Sequence, residues 1–220
     1  MEALERIPIF PLGVILFPAS QIPLHIFEER YKRMCATALE HESVFGINYL
    51  EETAMHSIGC TARISSVTKK HEGGELDIIT EGIRRYEIVR LEQGSTNELA
   101  YAEVRWIDDE PEVRDMELAR EAIELFNELC DVAYKGTIDP LDLEEWLEEG
   151  KLPSYAIAQK SGLTPEQRQM MLSIRSENER LTILRDHLKE LMPKIEEAEA
   201  IHQLISNDGY LVNWNKKGEE

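Results

Sequence analysis

The chain has 220 residues, of which 42 % are apolar and 30 % charged, so it is long enough and apolar enough to fold around a core. Its formal net charge of −19 is spread over both halves, and such a surface repels nucleic-acid phosphates and anionic lipids. Nucleic acid is therefore an unfavoured partner, although Lys69-Lys70 or Arg84-Arg85 could form a local basic strip.

The cysteines indicate a reducing compartment. Cys35, Cys60 and Cys130 are far apart and odd in number, which favours packed thiols over a disulfide framework. Pro8 and Pro11 interrupt the apolar amino-terminal stretch, and no run of about 18 apolar residues is present to span a membrane. We therefore expect a cytoplasmic protein with no membrane partner.

The first half of the chain is predicted to be rich in β-strands. Short apolar runs alternate with Gly, Pro, Asn or charged turns, which is typical of a small barrel or sandwich. The predicted strands are Ile7–Leu12, Val14–Phe17, Phe45–Leu50, Cys60–Val67, Leu76–Thr80, Tyr86–Val89 and Ala102–Ile107. Prolines at positions 8, 11, 18 and 23 cannot donate to a ladder, so we expect the first strands at sheet edges or bulges. One helix, over about Glu28–Glu40, is predicted to interrupt the strands.

The second half is predicted to be helical. The composition changes after the acidic turn Asp108–Pro111, and the helices that follow are predicted at 112–134, 142–149, 154–161 and 164–172, before a long final helix. Thr164 and Gln167 form a box-like helix start. We therefore predict a barrel subdomain at 1–110, a helical subdomain at 111–206 and a tail at 207–220.

The final helix carries the most regular apolar pattern in the chain. Its seam consists of Leu181, Leu184, Leu188, Leu191, Ile195, Ala198, His202 and Ile205, at alternating steps of three and four. Two interpretations stay open: the first half of the seam packs on the rest of the bundle, or the helix forms a coiled-coil arm or a dimer seam. Pro193 is expected to kink the helix or to begin a new one.

Motifs of common enzymatic sites are absent from the sequence. Gly150-Lys151 is followed by Leu152 instead of Ser or Thr, which excludes an ATP-binding P-loop there. Gly-x-Ser-x-Gly, His-Glu-x-x-His and Cys-x-x-Cys do not occur either. His25, in an apolar strand, is interpreted as a structural imidazole instead of a ligand or base. We predict no catalytic residues, no cofactor and no metal site.

Several short motifs resemble the amino-terminal domain of Lon proteases. The resemblance opens with IPIFPLGVILFP at Ile7–Pro18 and IPLHIFEERY at Ile22–Tyr31, and extends over about residues 5 to 190. Further matching motifs are Phe45-Gly46, Gly59–Ile64, Gly82–Tyr86, Ser154–Gln159, Gln169–Leu172 and Glu179–Leu181. Ala19 stands where the family more often has glycine, and Tyr86 where phenylalanine is common. The resemblance implies an α+β fold: a PUA-like β pseudo-barrel with one inserted helix, then an α-helical bundle and a long C-terminal helix.

The resemblance also implies a function. The family uses this fold to engage unfolded or degron-bearing polypeptides, and this chain ends at Glu220 without the family's ATPase and Ser–Lys peptidase modules. We therefore expect a stand-alone, non-catalytic recognition module, an adaptor in protein quality control that could act with a Lon-type protease. One alternative is RNA binding, since PUA-like barrels also occur in RNA-binding proteins. A third hypothesis is an enzyme with an unrecognised carboxylate site.

Six residues of the matching motifs are candidates for polypeptide binding, each with a structural role as the competing interpretation. They are Pro23, Leu24, His25, Phe27, Arg84 and Arg85. The planar donors of the two arginines suit carboxylate recognition. Phe10, Phe17 and Phe27 are expected to fill the barrel, and Gly82 to adopt a turn conformation.

Overall fold

The computed structural model describes residues 4–92, 94, 97–148 and 150–207. Its strands are β1 (Glu5–Leu12), β2 (Gln21–Ile26), β3 (Phe45–Glu51), β4 (Ala54–Lys70), β5 (Leu76–Glu92) and β6 (Ala100–Ile107). Its α-helices are α1 (Glu29–His41), α2 (Met116–Leu129), α3 (Leu143–Glu148), α4 (Pro153–Lys160), α5 (Pro165–Ser173) and α6 (Glu177–Asn207), and a π-helical segment, Cys130–Tyr134, follows α2. The predicted α+β class, with one helix inserted among the strands and a long final helix, is confirmed.

The strands form one sheet that closes on itself. Their order is β2-β5-β4-β3-β1-β6, and β6 also pairs with β5, so five strands form a ring to which β2 is attached along β5. Strands β1 and β3 are parallel, and the other pairs are antiparallel. A buried apolar cluster joins β1, β5 and β6 through Ile7, Ile9, Tyr86, Ala102 and Val104. The ring with its appended strand is a pseudo-barrel, not a regular barrel.

Strand β5 is longer than the sequence predicts. It contains both Leu76–Thr80 and Tyr86–Val89, and Gly82 lies within it instead of at a turn. A Cβ atom at Gly82 would stand 2.0 Å from the carbonyl oxygen of Phe17, so the glycine permits a close approach of two backbones. The predicted strand Val14–Phe17 is wrong: that segment is irregular, and its continuation makes a single bridge from Pro18 to Gly82.

Strand β1 lies inside the sheet, which corrects the expectation that the proline-rich strands lie at edges. Residues Glu5–Ile9 pair with β6, and Ile9–Leu12 pair with β3. Pro8 and Pro11 therefore each lie where β1 has a neighbour on one side only, so the missing N–H need not interrupt a ladder. Pro23 lies on β2, which within the described residues pairs with β5 alone, as the edge expectation requires.

The chain divides into two compact units. One contains the described residues up to Val113 together with Ser154–Arg180, and the other contains Arg114–Pro153 together with the described residues from Leu181 onward. The sheet unit thus also contains α5 and most of α4, which follow about forty residues that belong to the other unit. The predicted boundaries at 110 and 206 stay predictions, and the predicted tail lies, apart from Asn207, outside the described residues.

An ionic network is buried in the sheet unit. The Arg180 side chain is fully buried and donates to Asp109 Oδ1 at 2.7 Å, to Glu177 Oε2 at 2.7 Å and to Ser154 Oγ at 2.9 Å. Its guanidinium carbon lies 4.4 Å from the centre of the Tyr155 ring. Burial by itself acts to lower the pKa of Arg180, but the Asp109 hydrogen bond and the surrounding negative charge raise it, so the arginine stays charged. The network joins the segment after β6 to the starts of α4 and α6.

Helix α6 continues through Pro193 without ending, so it neither stops nor restarts at that residue. The first part of its predicted seam, Leu181, Leu184 and Leu188, is buried. At the end of the seam, Ile205 is 50 % exposed. Burial of the first part agrees with the packing interpretation, whereas a homodimer through the exposed end stays a prediction. Among the described helices, none is both long enough and apolar enough to cross a membrane.

Candidate functional site

A cleft of about 580 Å³ opens at one end of the strand ring. The carboxyl ends of β1, β3 and β5, the amino ends of β4 and β6 and the junction between β2 and α1 surround it. We call it the mouth cleft, and its walls include Phe10, His25, Phe27, Tyr31, Met55 and Leu91. Mouths of β-barrels are common ligand sites because strand ends and loops there enclose a concave surface.

Aromatic packing forms the inner wall of the mouth cleft. The rings of Phe10 and Tyr31 are both buried, and their centroids lie 4.0 Å apart. Phe10 also packs against Phe45, at 6.3 Å between centroids. Tyr31 reaches this position because α1 begins directly after β2. Burial raises the pKa of the Tyr31 hydroxyl, while the neighbouring Arg30 charge opposes that shift, so the ring stays neutral near pH 7. The wall is a preformed apolar surface.

Phe27 is an exposed aromatic residue at the rim of the mouth cleft. Its side chain is 61 % exposed, which corrects the prediction that it fills the barrel. The reason is the alternation of strand faces: Ile26, the last residue of β2, is buried, so the next side chain points outward. The Phe27 ring stacks beside that of His25, at 6.0 Å between centroids. An exposed Phe next to an apolar wall extends the apolar contact surface into solvent.

Charged groups of both signs border this apolar surface. Arg30 Nη2 lies 2.7 Å from Glu28 Oε2, and the Arg30 guanidinium lies 4.7 Å from the centre of the Tyr31 ring. The cleft is also lined by Glu98, Thr53 and His25. The mouth cleft therefore offers apolar contacts and rim hydrogen bonds.

The cysteines lie outside the mouth cleft and are unreactive. As predicted, Cys35, Cys60 and Cys130 are buried free thiols. Burial raises the pKa of Cys35 to about 11 and that of Cys60 to about 12. Because the thiolate is the nucleophilic form, none of these groups is poised for catalysis at neutral pH.

The candidate binding residues of β2 are only partly brought together. His25 and Phe27 line the mouth cleft. Pro23 and Leu24 lie earlier on β2, with Pro23 exposed and Leu24 half-buried, and neither lines the cleft. Contact of any of these residues with a polypeptide stays a prediction.

The two candidate arginines lie on opposite faces of β5, because side chains alternate along a strand. Arg84 is exposed, donates twice to Asp108 Oδ1 at 2.8 and 3.2 Å, and lies over the Trp106 ring. Arg85 is buried and donates to Asp109 at 2.6 Å and to the Ile174 carbonyl oxygen at 2.6 Å. Neither lines the mouth cleft. Burial of Arg85 also means that the pair does not form a continuous basic strip.

Two polar residues that the sequence did not single out converge on His25. Asp77 Oδ1 lies 2.6 Å from His25 Nδ1, and Asp77 Oδ2 lies 2.8 Å from His71 Nε2. His25 and Asp77 are direct cross-strand partners on β2 and β5. Their separation of 52 positions gives no motif, so only knowledge of the strand register would have connected them.

Comparisons with known proteins agree with this architecture. The chain is similar to the Lon N-terminal domain protein from Xanthomonas campestris, with 24 % identity and a TM-score of 0.63 over 82 % of this chain and 96 % of that one. It is also similar to the N-terminal domain of the Mycobacterium avium complex Lon protease, with 21 % identity and a TM-score of 0.58 over 84 % of this chain and 98 % of that one. At these identities the two structures show the shared fold. No curated protein sequence matches the chain.

The family comparison covers most of the chain. Residues 6–190 match the model of the ATP-dependent protease La (LON) substrate-binding domain, and no ATPase or peptidase model accompanies it. The matched region contains β1 apart from Glu5, β2 to β6, α1 to α5 and the first part of α6. The chain therefore belongs to the Lon substrate-binding domain family.

Proposed function

We propose that this chain is a non-catalytic recognition module that binds unfolded or degron-bearing polypeptides in the mouth cleft. The observation that carries the proposal is the exposed Phe27 beside the buried Phe10–Tyr31 wall. An apolar side chain of a bound polypeptide would insert against that wall, and Phe27 would cover it. The family description, a substrate-binding domain, supports the same class of ligand.

The rim of the mouth cleft suggests how the polypeptide backbone is held. The Arg30–Glu28 ion pair carries both donors and acceptors, which carbonyl and N–H groups of an extended segment would share with that pair. The net charge of −19 disfavours strongly acidic segments. We therefore expect a preference for apolar or basic segments.

A role in protein quality control follows as the wider proposal. A module that binds polypeptides without cleaving them would act as an adaptor, and a Lon-type protease is the partner that the family suggests. We propose a cytoplasmic setting because the described cysteines are free thiols. Co-purification of a Lon-type protease with the chain, and loss of client degradation without it, would support this wider role.

The proposal is tested by fluorescence anisotropy with a labelled, permanently unfolded model polypeptide. Phe27→Ala removes an exposed ring at the rim, and we expect the Kd to rise about tenfold, the equivalent of about 1.4 kcal/mol. Leu39→Ala is the matched control, because Leu39 is similarly exposed on α1 but does not line the cleft. Absence of binding at high micromolar concentration would reject polypeptide recognition. Equal effects of the two substitutions would reject the mouth cleft as the site.

The RNA-binding alternative has less support. It required a basic strip, and Arg85 is buried while Arg84 is held by Asp108. Lys69 and Lys70 are exposed, but Lys69 lies opposite Asp77 in the β4–β5 pairing. A salt-dependent gel shift with RNA would revive this alternative.

A further inference from the structure

Three metal-ligating side chains meet beside the mouth cleft. His25 extends from β2, Asp77 from β5, and His71 from the hairpin between β4 and β5. One ligand atom from each residue lies within 4.8 Å of the other two. Two backbone interactions hold these residues in place. His25 and Asp77 are cross-strand partners, and the His71 N–H donates to the Glu75 carbonyl oxygen within the hairpin.

We propose that His25, His71 and Asp77 form a binding site for one divalent transition ion of the zinc class. Imidazole nitrogen and carboxylate oxygen are ligands that such ions prefer, and two histidines with one carboxylate make a recurrent zinc set. Three protein ligands leave one tetrahedral position open for water or another ligand.

The geometry requires only small side-chain rotations. Bonds of about 2.0 Å place the ligand atoms of a tetrahedral zinc ion roughly 3.3 Å apart. The two histidine–carboxylate distances are now 2.6 and 2.8 Å, because each imidazole is hydrogen-bonded directly to Asp77. An ion would enter between the three groups and replace those hydrogen bonds. The side chains are 54 %, 29 % and 34 % exposed for His25, His71 and Asp77, so they have room to turn.

The electrostatic state of the cluster suits a cation. Asp77 supplies a carboxylate that lies within hydrogen-bond distance of both imidazoles. Lys69, the β4 partner of Asp77, opposes a cation, but its side chain is exposed. Since neutral imidazole is the ligating form, binding should weaken on acidification.

This site can be tested independently of polypeptide binding. His25 lines the mouth cleft, whereas His71 and Asp77 do not. Substitution of His71 therefore removes a metal ligand without replacing a lining residue or its hydrogen-bond partner, whereas Asp77→Asn alters the partner of His25.

The experiment is a competition titration of the metal-free full chain with Zn²⁺ against a chromophoric chelator, repeated with Co²⁺ by visible absorption. We expect one ion per chain, and at least a tenfold loss of affinity in both His71→Ala and Asp77→Asn, because even the outer partners of metal ligands contribute about 10–100-fold. His56→Ala, at a histidine outside the cluster, should bind as the unmodified chain does, and far-UV circular dichroism checks that each variant is folded. Absence of one-to-one binding at 100 μM Zn²⁺, or unchanged affinity in both cluster variants, would overturn the proposal. If the cluster variants lose Zn²⁺ and keep polypeptide binding, the two sites are independent.

Discussion

Replacing Arg180 by methionine tests the buried ionic network most severely. The substitution retains much of the apolar volume of the side chain. It removes the hydrogen bonds that Arg180 donates to Glu177 and Asp109, and the one that it donates to the Ile174 carbonyl oxygen at 2.7 Å. Glu177 is only 4 % exposed and would keep just the Ser154 hydrogen bonds. Removing one partner of a buried ion pair costs about 3–5 kcal/mol, so we expect the free energy of unfolding to fall by that amount.

Urea unfolding followed by circular dichroism measures the effect. Arg63→Met is the control, because Arg63 pairs with Glu81 at 2.9 Å with more than half of its side chain exposed, and such surface pairs contribute under about 1 kcal/mol. A double variant that also carries Glu177→Gln should recover part of the loss, since it leaves less uncompensated buried charge. Equal losses for Arg180→Met and Arg63→Met would refute the reasoning. If Arg180→Met does not fold at all while Arg63→Met does, the result also supports a large stabilising contribution of the buried network.

Three further predictions concern single residues of the sheet unit. Ala19 has a φ of 60°, a left-handed conformation that glycine adopts more readily, so Ala19→Gly should raise the free energy of unfolding by about 0.5–1 kcal/mol; a loss in urea unfolding would contradict this. Tyr86→Phe removes the buried hydroxyl that donates to Asn48 Oδ1 at 2.5 Å. The free energy of unfolding in urea should fall by about 1–3 kcal/mol, because Asn48 loses this donor. An unchanged free energy of unfolding would mean that Asn48 finds another donor. Hydrogen bonds from His25 and His71 lower the pKa of Asp77 in the folded state. The charged carboxylate therefore stabilises the fold above the unfolded-state pKa of about 4, and this stabilisation disappears as the pH falls through the lower folded-state pKa. The stabilities of the unmodified chain and Asp77→Asn should therefore converge in acid, and a constant difference from pH 7 to pH 2 would contradict this.

Local patterns predicted the secondary structure well where one rule acted alone. The helix start at Thr164 is an example: its hydroxyl accepts from the Gln167 N–H, and the Gln167 side chain accepts from the Thr164 N–H, as the sequence indicated. Prediction failed where long-range contacts decide. Gly82 resembles a turn glycine in the sequence, but it is needed because Phe17 approaches the middle of β5. That approach continues the β2–β5 pairing through the Pro18–Gly82 bridge, a contact between segments more than sixty positions apart that no local pattern predicts.

The site was predictable only through the family motifs. They brought attention to His25 and Phe27, which do line the mouth cleft. They gave equal weight to Arg84 and Arg85, because adjacent arginines look alike in a sequence while a strand places one in solvent and one in the interior. Asp77 carries no local signal at all, since its relation to His25 depends on the β2–β5 register.

The central claim is that polypeptides bind at the mouth cleft, and site-specific photo-crosslinking tests it most directly. A photoreactive phenylalanine analogue replaces Phe27 in one version of the chain and Leu39 in another, and each is irradiated with the labelled unfolded polypeptide. Because Phe27 lines the cleft and Leu39 does not, we predict a crosslinked product from position 27 and little from position 39. Competition by unlabelled polypeptide should remove that product. No crosslink at position 27, or equal yields at both positions, would contradict the claim.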